Sequence, residues 1–376
     1  MGAQRRHLTL ACLPLLAGSL TFGGGLAAHA GGQQTVEPPQ KPTSAAPAPT
    51  QKPGSPSQKP SRPAGTKTFD LESHRGGRGE TTEESLRAFE KSLALGVSTL
   101  EFDIVLTKDK VPAVWHDPKV LDTKCTDTKP ATAGDPMYPY VGKLMHELTW
   151  AQVQTLDCGK KLDNFPYAEV VKGNKIIKLS DVFDLVKKKK ADVRYNIETK
   201  IEGENRRESA TPEEFVKVIL GEVDKAGVAD KVMVQSFDWR SLPLVKKANP
   251  KIPTVLLWDE TTWKKGSQWT GEADYDAMKG DILAAAKKIG VDVLSPGYSQ
   301  PYGRKPGDKD FKLIADKALI EKAHQAGMKV VPWTLNDASA MEAQMDAGAD
   351  GIITDYPTKL RELMQKRGLQ LPPSYS

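Results

Sequence analysis

From Lys67 onward, short β-branched or aliphatic runs alternate with amphipathic stretches of helical period, the pattern of a parallel sheet covered by helices. The runs predicted as strands end at Ser73-His74, Leu100 to Asp103, Asn196 to Lys200, Gln235-Ser236-Phe237, Leu257-Trp258-Asp259, Leu294-Ser295-Pro296, Pro332 to Leu335 and Ile353 to Asp355. Helical spacing predicts Glu84 to Leu95, Ser180 to Lys190, Pro212 to Ala226, Leu242 to Ala248, Ile282 to Ile289, Lys317 to Ala326, Ala338 to Ala347 and a closing helix from Pro357 to Arg367. Eight β-α units over about 300 residues point to an α/β fold, a TIM barrel. A doubly wound open sheet is the alternative. No G-x-G-x-x-G follows the first strand, and polar residues end almost every strand, which fits a barrel whose site is assembled at the carboxyl ends of its strands.

The pattern differs before Lys67. Arg5 and Arg6 precede an apolar run from Leu8 to about Leu26, broken by Pro14 and several glycines, and Ala28-His29-Ala30 offers small residues for cleavage. Residues 1–30 are expected to be a secretory signal peptide; the adjacent arginines also fit twin-arginine export. Residues 31–66 hold nine of the 27 prolines and almost no aliphatic side chain larger than Ala, so they cannot bury a core and read as a disordered or polyproline-like tether. At roughly 3.1 Å per residue it would reach about 110 Å, enough to thread cell-wall polymer or simply to act as a spacer. No uninterrupted apolar run is long enough for a permanent membrane span.

Charge narrows the partners. The whole chain has 53 Lys+Arg against 48 Asp+Glu, but Arg5, Arg6, Lys41, Lys52, Lys59, Arg62 and Glu37 all precede residue 67, leaving the folded region with 47 of each sign. That balance carries no nucleic-acid footprint. Cleavage of the leader leaves two cysteines, Cys125 and Cys158, which an oxidising compartment would join as one disulfide; two separately buried thiols are the other reading. The bridge would staple a segment with little core of its own.

The candidate chemistry lies at the strand ends. Glu101 and Asp103 are two apart on a strand and leave it from one face, between the apolar Leu100, Phe102, Ile104 and Leu106. Two buried carboxylates side by side need a cation or a proton. The turn Lys108-Asp109-Lys110 is too short for a crossover helix, so Val111 to Trp115 should return antiparallel and bring His116 level with that pair. Glu198 and Lys200 repeat the spacing, an acid for a metal and a base for a phosphate, or else an internal ion pair. His74 ends the first strand, followed by Arg75-Gly76-Gly77-Arg78-Gly79, where glycines let the backbone approach a ligand and an arginine can grip phosphate bidentately. Two histidines beside three carboxylates suit acid–base chemistry on a metal-bound anion, with calcium or magnesium favoured over zinc by the oxygen donors.

Together, His74-Arg75-Gly76, Glu83, Ser85-Leu86-Arg87-Ala88-Phe89, Glu101-Phe102-Asp103, His116-Asp117-Pro118, Ile197-Glu198-Thr199-Lys200, Ser236-Phe237, Trp333-Thr334-Leu335-Asn336 and Asp350-Gly351-Ile352-Ile353-Thr354-Asp355-Tyr356-Pro357 resemble the glycerophosphodiester phosphodiesterase family, from Phe69 to Leu363. The resemblance implies a TIM barrel, a divalent metal and hydrolysis of deacylated phospholipids to glycerol phosphate and an alcohol. It implies Glu101, Asp103 and Glu198 as metal ligands and His74 and His116 as general acid and base. Arg75 and Lys200 would hold the phosphate, Phe237 and Trp333 would form an apolar wall beside the glycerol, and Glu83 would support the set from behind. The implied mechanism has a glycerol hydroxyl attack the neighbouring phosphorus to give a cyclic phosphate, which water then opens.

The chain departs from the family's Pro-Glu-Asn-Thr, reading Thr82-Glu83-Glu84-Ser85, which puts that loop's usual hydrogen bonds in doubt and also works as the acidic first turn of a helix. An insertion at about 120–178 falls where the family covers its substrate site. Trp258, Trp263 and Trp269, among Lys264, Lys265 and Gln268, either bind a polymer, sugar or headgroup or pack on the rim. The functional alternatives are hydrolysis of teichoic acid, a phospholipase-like activity, and a surface-binding barrel without turnover, with the protein secreted or wall-associated.

Overall fold

The computed structural model describes residues 68–376; the expected signal peptide (1–30) and tether (31–66) lie outside the described residues. Along the described chain run the strands β1 (Asp70–Ser73), β2 (Thr99–Leu106), β3 (Pro112–Val114), β4 (Ile177–Lys178), β5 (Arg194–Thr199), β6 (Val232–Ser236), β7 (Thr254–Trp258), β8 (Val293–Pro296), β9 (Ser299–Gln300), β10 (Lys312–Leu313), β11 (Lys329–Val330) and β12 (Gly351–Thr354). Eight form a parallel sheet in the order β11-β8-β7-β6-β5-β2-β1-β12, with helices in the crossovers, the TIM barrel that the sequence pattern predicts.

The seventh barrel strand differs from its prediction. Strand β11 stops at Val330, and the expected run Pro332 to Leu335 follows it as extended chain. Pro332 has no N–H for a ladder, so the barrel is closed by scattered bonds instead: Asp350 N–H to Val330 O at 2.8 Å, Ile353 N–H to Pro332 O at 3.0 Å and Leu335 N–H to Ile353 O at 3.1 Å.

Helix bounds follow local chemistry. The helix Pro212–Ala226 matches its prediction because Thr211 and Glu214 form a capping box, Pro212 takes the first turn and Gly227 stops it in the left-handed region. The first helix begins at Leu86, two residues later than expected: Ser85 is its cap, accepting from Ala88 N–H, and Glu84 has φ 55°. Glu83 and Glu84 are therefore not an acidic first turn; both are buried, Glu83 against Arg75 and Glu84 against the backbone of Asp103.

On β2 the pleat separates structure from chemistry. Leu100, Phe102 and Ile104 are fully buried against the helical layer, Phe102 meeting Phe89 edge-on at 5.6 Å, while Glu101 and Asp103 take the other face. Each such buried side chain contributes roughly 1.5–3 kcal/mol. Strand β3 pairs antiparallel with β2 in the register Ile104↔Val114 and Leu106↔Pro112, the predicted return, and β4 pairs with β3. The insertion has more core than expected: Tyr140, Met145, Leu148, Val153 and Leu156 pack with Val105 and Trp115, beside a formed Cys125–Cys158 disulfide. That cluster is assembled from turns and the single-turn helices Met145–Glu147 and Trp150–Val153, too short to show a period.

Candidate active site

The strand register brings the carboxylates together. Asp103 on β2 lies opposite Glu198 on β5, and ligand oxygens of Glu101, Asp103 and Glu198 all fall within 4.8 Å of one another. Trp115 N–H donates to Asp103 O at 3.1 Å, which delivers His116 to the same mouth. A cavity of about 140 Å³ there is lined by His74, Arg75, His116, Lys200, Phe237 and Trp333, with Glu101 and Glu198 at its floor. Asp103 is buried beneath, and Glu83 lies behind Arg75, whose Nη1 is 3.4 Å from Glu83 Oε2.

Arg75 itself is in the left-handed region, φ 51°, which turns its N–H onto Glu101 Oε2 at 2.9 Å. Its Nε is 3.1 Å from Asp103 Oδ2, and Lys200 Nζ is 2.7 Å from Glu198 Oε1 and 3.8 Å from Asp103 Oδ1. The following glycines stand where other parts of the protein pack closely on the backbone. A Cβ on Gly76 would meet Ala88 Cβ at 2.9 Å, and one on Gly79 the Tyr356 ring at 2.5 Å.

Burial opposes three ionised carboxylates here, and the neighbours decide which carries charge. Burial pushes Asp103 up, but Lys200, His116 and Arg75 outweigh it and hold the carboxyl well below its usual range. Glu101 is pushed well above its usual value by burial and by Asp103 and Glu198. Burial carries Glu198 up to about 8 against the pull of Lys200, with Asp103 adding to the rise. The oxygens thus form a set that a cation would complete. Neither buried oxygen of Asp103 meets a hydrogen-bond donor in good geometry, and an all-carboxylate donor set fits a hard dication such as calcium or magnesium.

Both imidazoles are turned by carboxylates. His74 Nδ1 lies 2.5 Å from Asp355 Oδ1, and His116 Nδ1 lies 3.0 Å from Asp117 Oδ1, so each ring leaves Nε2 for the cavity. Burial lowers His74 despite Asp355, and burial with Arg75 and Lys200 lowers His116 further. Asp355 is kept ionised, well below its usual range, because His74 and Arg78 outweigh its burial.

Sequence reading assigned no role to Asp355, Asp117, Gln235 or Tyr302. Asp355 directly follows the last strand and Gln235 directly precedes Ser236-Phe237, so position flagged both, but their partners are set by barrel closure. Gln235 Nε2 donates to Glu101 Oε1 at 2.6 Å across the barrel. Tyr302, on the loop after β9, joins Trp333 at 5.2 Å, and Trp333 meets Phe237 at 5.3 Å, completing the apolar wall.

In the Thr82-Glu83-Glu84-Ser85 loop, Glu84 Oε1 accepts from Asp103 N–H at 3.0 Å. The loop tryptophans pack. Trp258 is buried, Trp263 lies against Trp239 at 5.3 Å and Tyr275 at 4.9 Å, and Trp269 leans on Phe237 at 6.5 Å. The insertion reaches the mouth through Phe165, which packs on Tyr356 and under the Arg78 guanidinium. No helix among the described residues is long and apolar enough to cross a membrane.

With this geometry in hand, known proteins place the chain. The model of the glycerophosphoryl diester phosphodiesterase family matches residues 74–359. A glycerophosphodiester phosphodiesterase of Caldanaerobacter subterraneus subsp. tengcongensis is 28% identical over 296 residues, 79% of this chain and 98% of that protein. The human lysophospholipase D GDPD3 is 26% identical, covering 79% and 86% respectively. A crystal structure of a glycerophosphoryl diester phosphodiesterase from Silicibacter pomeroyi superposes with a TM-score of 0.66 at 25% identity, covering 81% of this chain and 95% of that one. The chain belongs to the glycerophosphoryl diester phosphodiesterase family and is a phosphoric diester hydrolase built on a TIM barrel.

Proposed function

We propose that the protein hydrolyses small glycerophosphodiesters to glycerol phosphate and an alcohol, with His74 and His116 as the acid–base pair. The observation that carries this is the placement of two carboxylate-backed imidazoles around a cavity lined by Glu101, Glu198, Arg75 and Lys200, with Asp103 clustered beneath the two glutamates. Glu101, Asp103 and Glu198 would hold calcium or magnesium, which when bound neutralises phosphoryl charge and makes a nearby hydroxyl more acidic. Arg75 and Lys200 are the cations that face a phosphate, and Phe237, Trp333 and Tyr302 offer an apolar surface to the carbon skeleton. One histidine takes the proton from the glycerol hydroxyl as it attacks the adjacent phosphorus, and the other protonates the departing alcohol oxygen. Water then opens the cyclic phosphate with the roles reversed. No protein nucleophile is needed.

A volume of about 140 Å³ suits the glycerol phosphate end, with the leaving alcohol at the mouth. A second reading, cleavage of an intact lysophospholipid, is supported by the name of the human relative. The disulfide supports an oxidising, exported location, secreted or wall-associated.

The test incubates the purified protein with glycerophosphocholine, lysophosphatidylcholine or glycerol-phosphate polymer, each with calcium, magnesium or EDTA, and measures phosphate-ester products. Metal-dependent glycerol phosphate release from glycerophosphocholine supports the proposal. Release from polymer alone moves the protein to wall teichoic acid, and turnover of the lipid alone favours the second reading. Metal binding without turnover of any of the three leaves a surface-binding barrel.

A further inference from the structure

We infer that Lys124, carried by the disulfide-stapled insertion, is a positioning residue for the reaction: it locks Asp117 behind His116 and Glu83 behind Arg75. This rests on the acid–base role proposed for His116. Lys124 touches neither pocket residue and acts through the two carboxylates.

The backbone of Lys124 is held from three sides. Its N–H donates to Leu121 O at 3.1 Å, its carbonyl accepts from Lys160 N–H at 3.3 Å, and the next residue is the bridged Cys125. The side chain crosses the Trp115 ring, with Nζ 5.1 Å from the centroid, and is only 12% exposed. Nζ then closes on two acids at once, on Glu83 by a short ion pair and on Asp117 Oδ2 at 2.5 Å.

Each acid hands the constraint to a pocket residue. With Oδ2 of Asp117 fixed by the ammonium, Oδ1 is left facing His116 Nδ1 at 3.0 Å, which sets the tautomer and tilt of the ring. With one oxygen of Glu83 fixed, the other lies 3.4 Å from Arg75 Nη1 and 3.6 Å from Arg78 Nη1. Without Lys124, both acids face this corner lacking the cation they share, Asp117 is free to turn about its Cβ–Cγ bond, and His116 loses its fixed partner. A lysine that merely tied the insertion to the barrel would lower stability alone. A positioning lysine lowers turnover in protein that is still folded.

Lys124→Met, Lys124→Arg, Asp117→Asn, His116→Ala and the double variant Lys124→Met/Asp117→Asn are compared on glycerophosphocholine with calcium or magnesium, with circular dichroism and Tm as controls. In folded Lys124→Met, kcat is expected to fall by about 10-fold or more with KM nearly unchanged, a fraction of the ~10²–10⁴ that acid–base catalysis contributes. Lys124→Arg should recover most of it, and the double variant should lose less than the product of the single losses, because the Asp117 link is shared and only the Glu83 link remains for Lys124 to act through. A Lys124→Met kcat within twofold of wild type, or losses that multiply in the double variant, would overturn the inference. If Lys124→Met does not fold, Lys124→Gln takes its place, and an unchanged kcat there is equally fatal. Full turnover in His116→Ala would instead sink the acid–base reading, whereas an inactive His116→Ala beside a fully active Lys124→Met overturns only the role of Lys124.

Discussion

Asp355 Oδ1 lies 2.5 Å from His74 Nδ1, although 281 positions separate the two residues in the chain. The pair exists because β12 lies beside β1, Ser73 opposite Thr354, so the residue after each strand meets its counterpart at the barrel mouth. Asp355 also accepts from Arg78 Nε at 2.9 Å and Asn336 Nδ2 at 2.7 Å, which fixes the carboxylate before it fixes the imidazole. Asp355→Asn keeps the shape and removes the charge. It is expected to lower kcat on glycerophosphocholine by about 10²-fold or more, since a mis-set tautomer disables an acid–base histidine. Steady-state glycerol phosphate release checks it, and an unchanged kcat would remove Asp355 from the mechanism.

Gln235 orients Glu101 from across the barrel through a 2.6 Å bond, while Arg75 N–H takes the other carboxylate oxygen. Gln235→Leu should leave the fold intact and weaken calcium or magnesium binding by roughly 10–100-fold, the usual cost of losing a partner of a metal ligand. Isothermal titration calorimetry on the cation-stripped protein reads this directly, independent of turnover. Equal affinity in variant and wild type would show that Glu101 needs no help from Gln235.

Glu72 is a buried carboxyl at the other end of the barrel, accepting from Asn196 Nδ2 at 2.8 Å. Burial, with Asp70 beside it, raises its pKa well above 4.5. A raised folded-state pKa favours the fold fully below the unfolded value, and that advantage is lost as pH rises through the folded one. Glu72→Gln, which keeps the acceptor, is therefore expected to raise Tm at pH 8 and to change it little at pH 4. A gain of about 1 kcal/mol would appear as roughly 2–4 °C. Thermal melts across that range decide it, and a gain that is largest at acid pH would contradict the assignment.

Trp333 is held by Nε1 donating to Ser295 O at 2.9 Å and stands between Phe237 and Tyr302. Trp333→Ala opens the apolar wall without touching the histidines. KM for glycerophosphocholine should rise by about 10-fold, consistent with roughly 1.5–3 kcal/mol for a buried apolar side chain, with kcat less affected. A loss confined to kcat would place Trp333 in positioning the reacting atoms rather than in holding the glycerol.

The parts of this protein legible in the linear chain are those written by local periodicity. Alternation along β2 placed Glu101 and Asp103 on one face, the short turn at Lys108 to Lys110 demanded the antiparallel return to His116, and helices such as Pro212–Ala226 carry their own start and stop signals. Where local signals are absent, expectation and structure part. Pro332 ended a strand early, Glu84 took a left-handed turn toward the site instead of joining a helix, and the insertion built a core out of turns and single-turn helices.

The sequence by itself therefore determined the barrel, the clustered carboxylates and both histidines, because spacing along a strand or around a tight turn dictates which side chains share a face. The tertiary structure alone decided what stands behind them. Asp355 behind His74, Gln235 behind Glu101 and Lys124 behind Asp117 are partners chosen by barrel closure and by the fold of a disulfide-bridged insertion. A hydrogen bond between distant residues depends on where two backbones meet in space, and no period in the chain encodes that meeting.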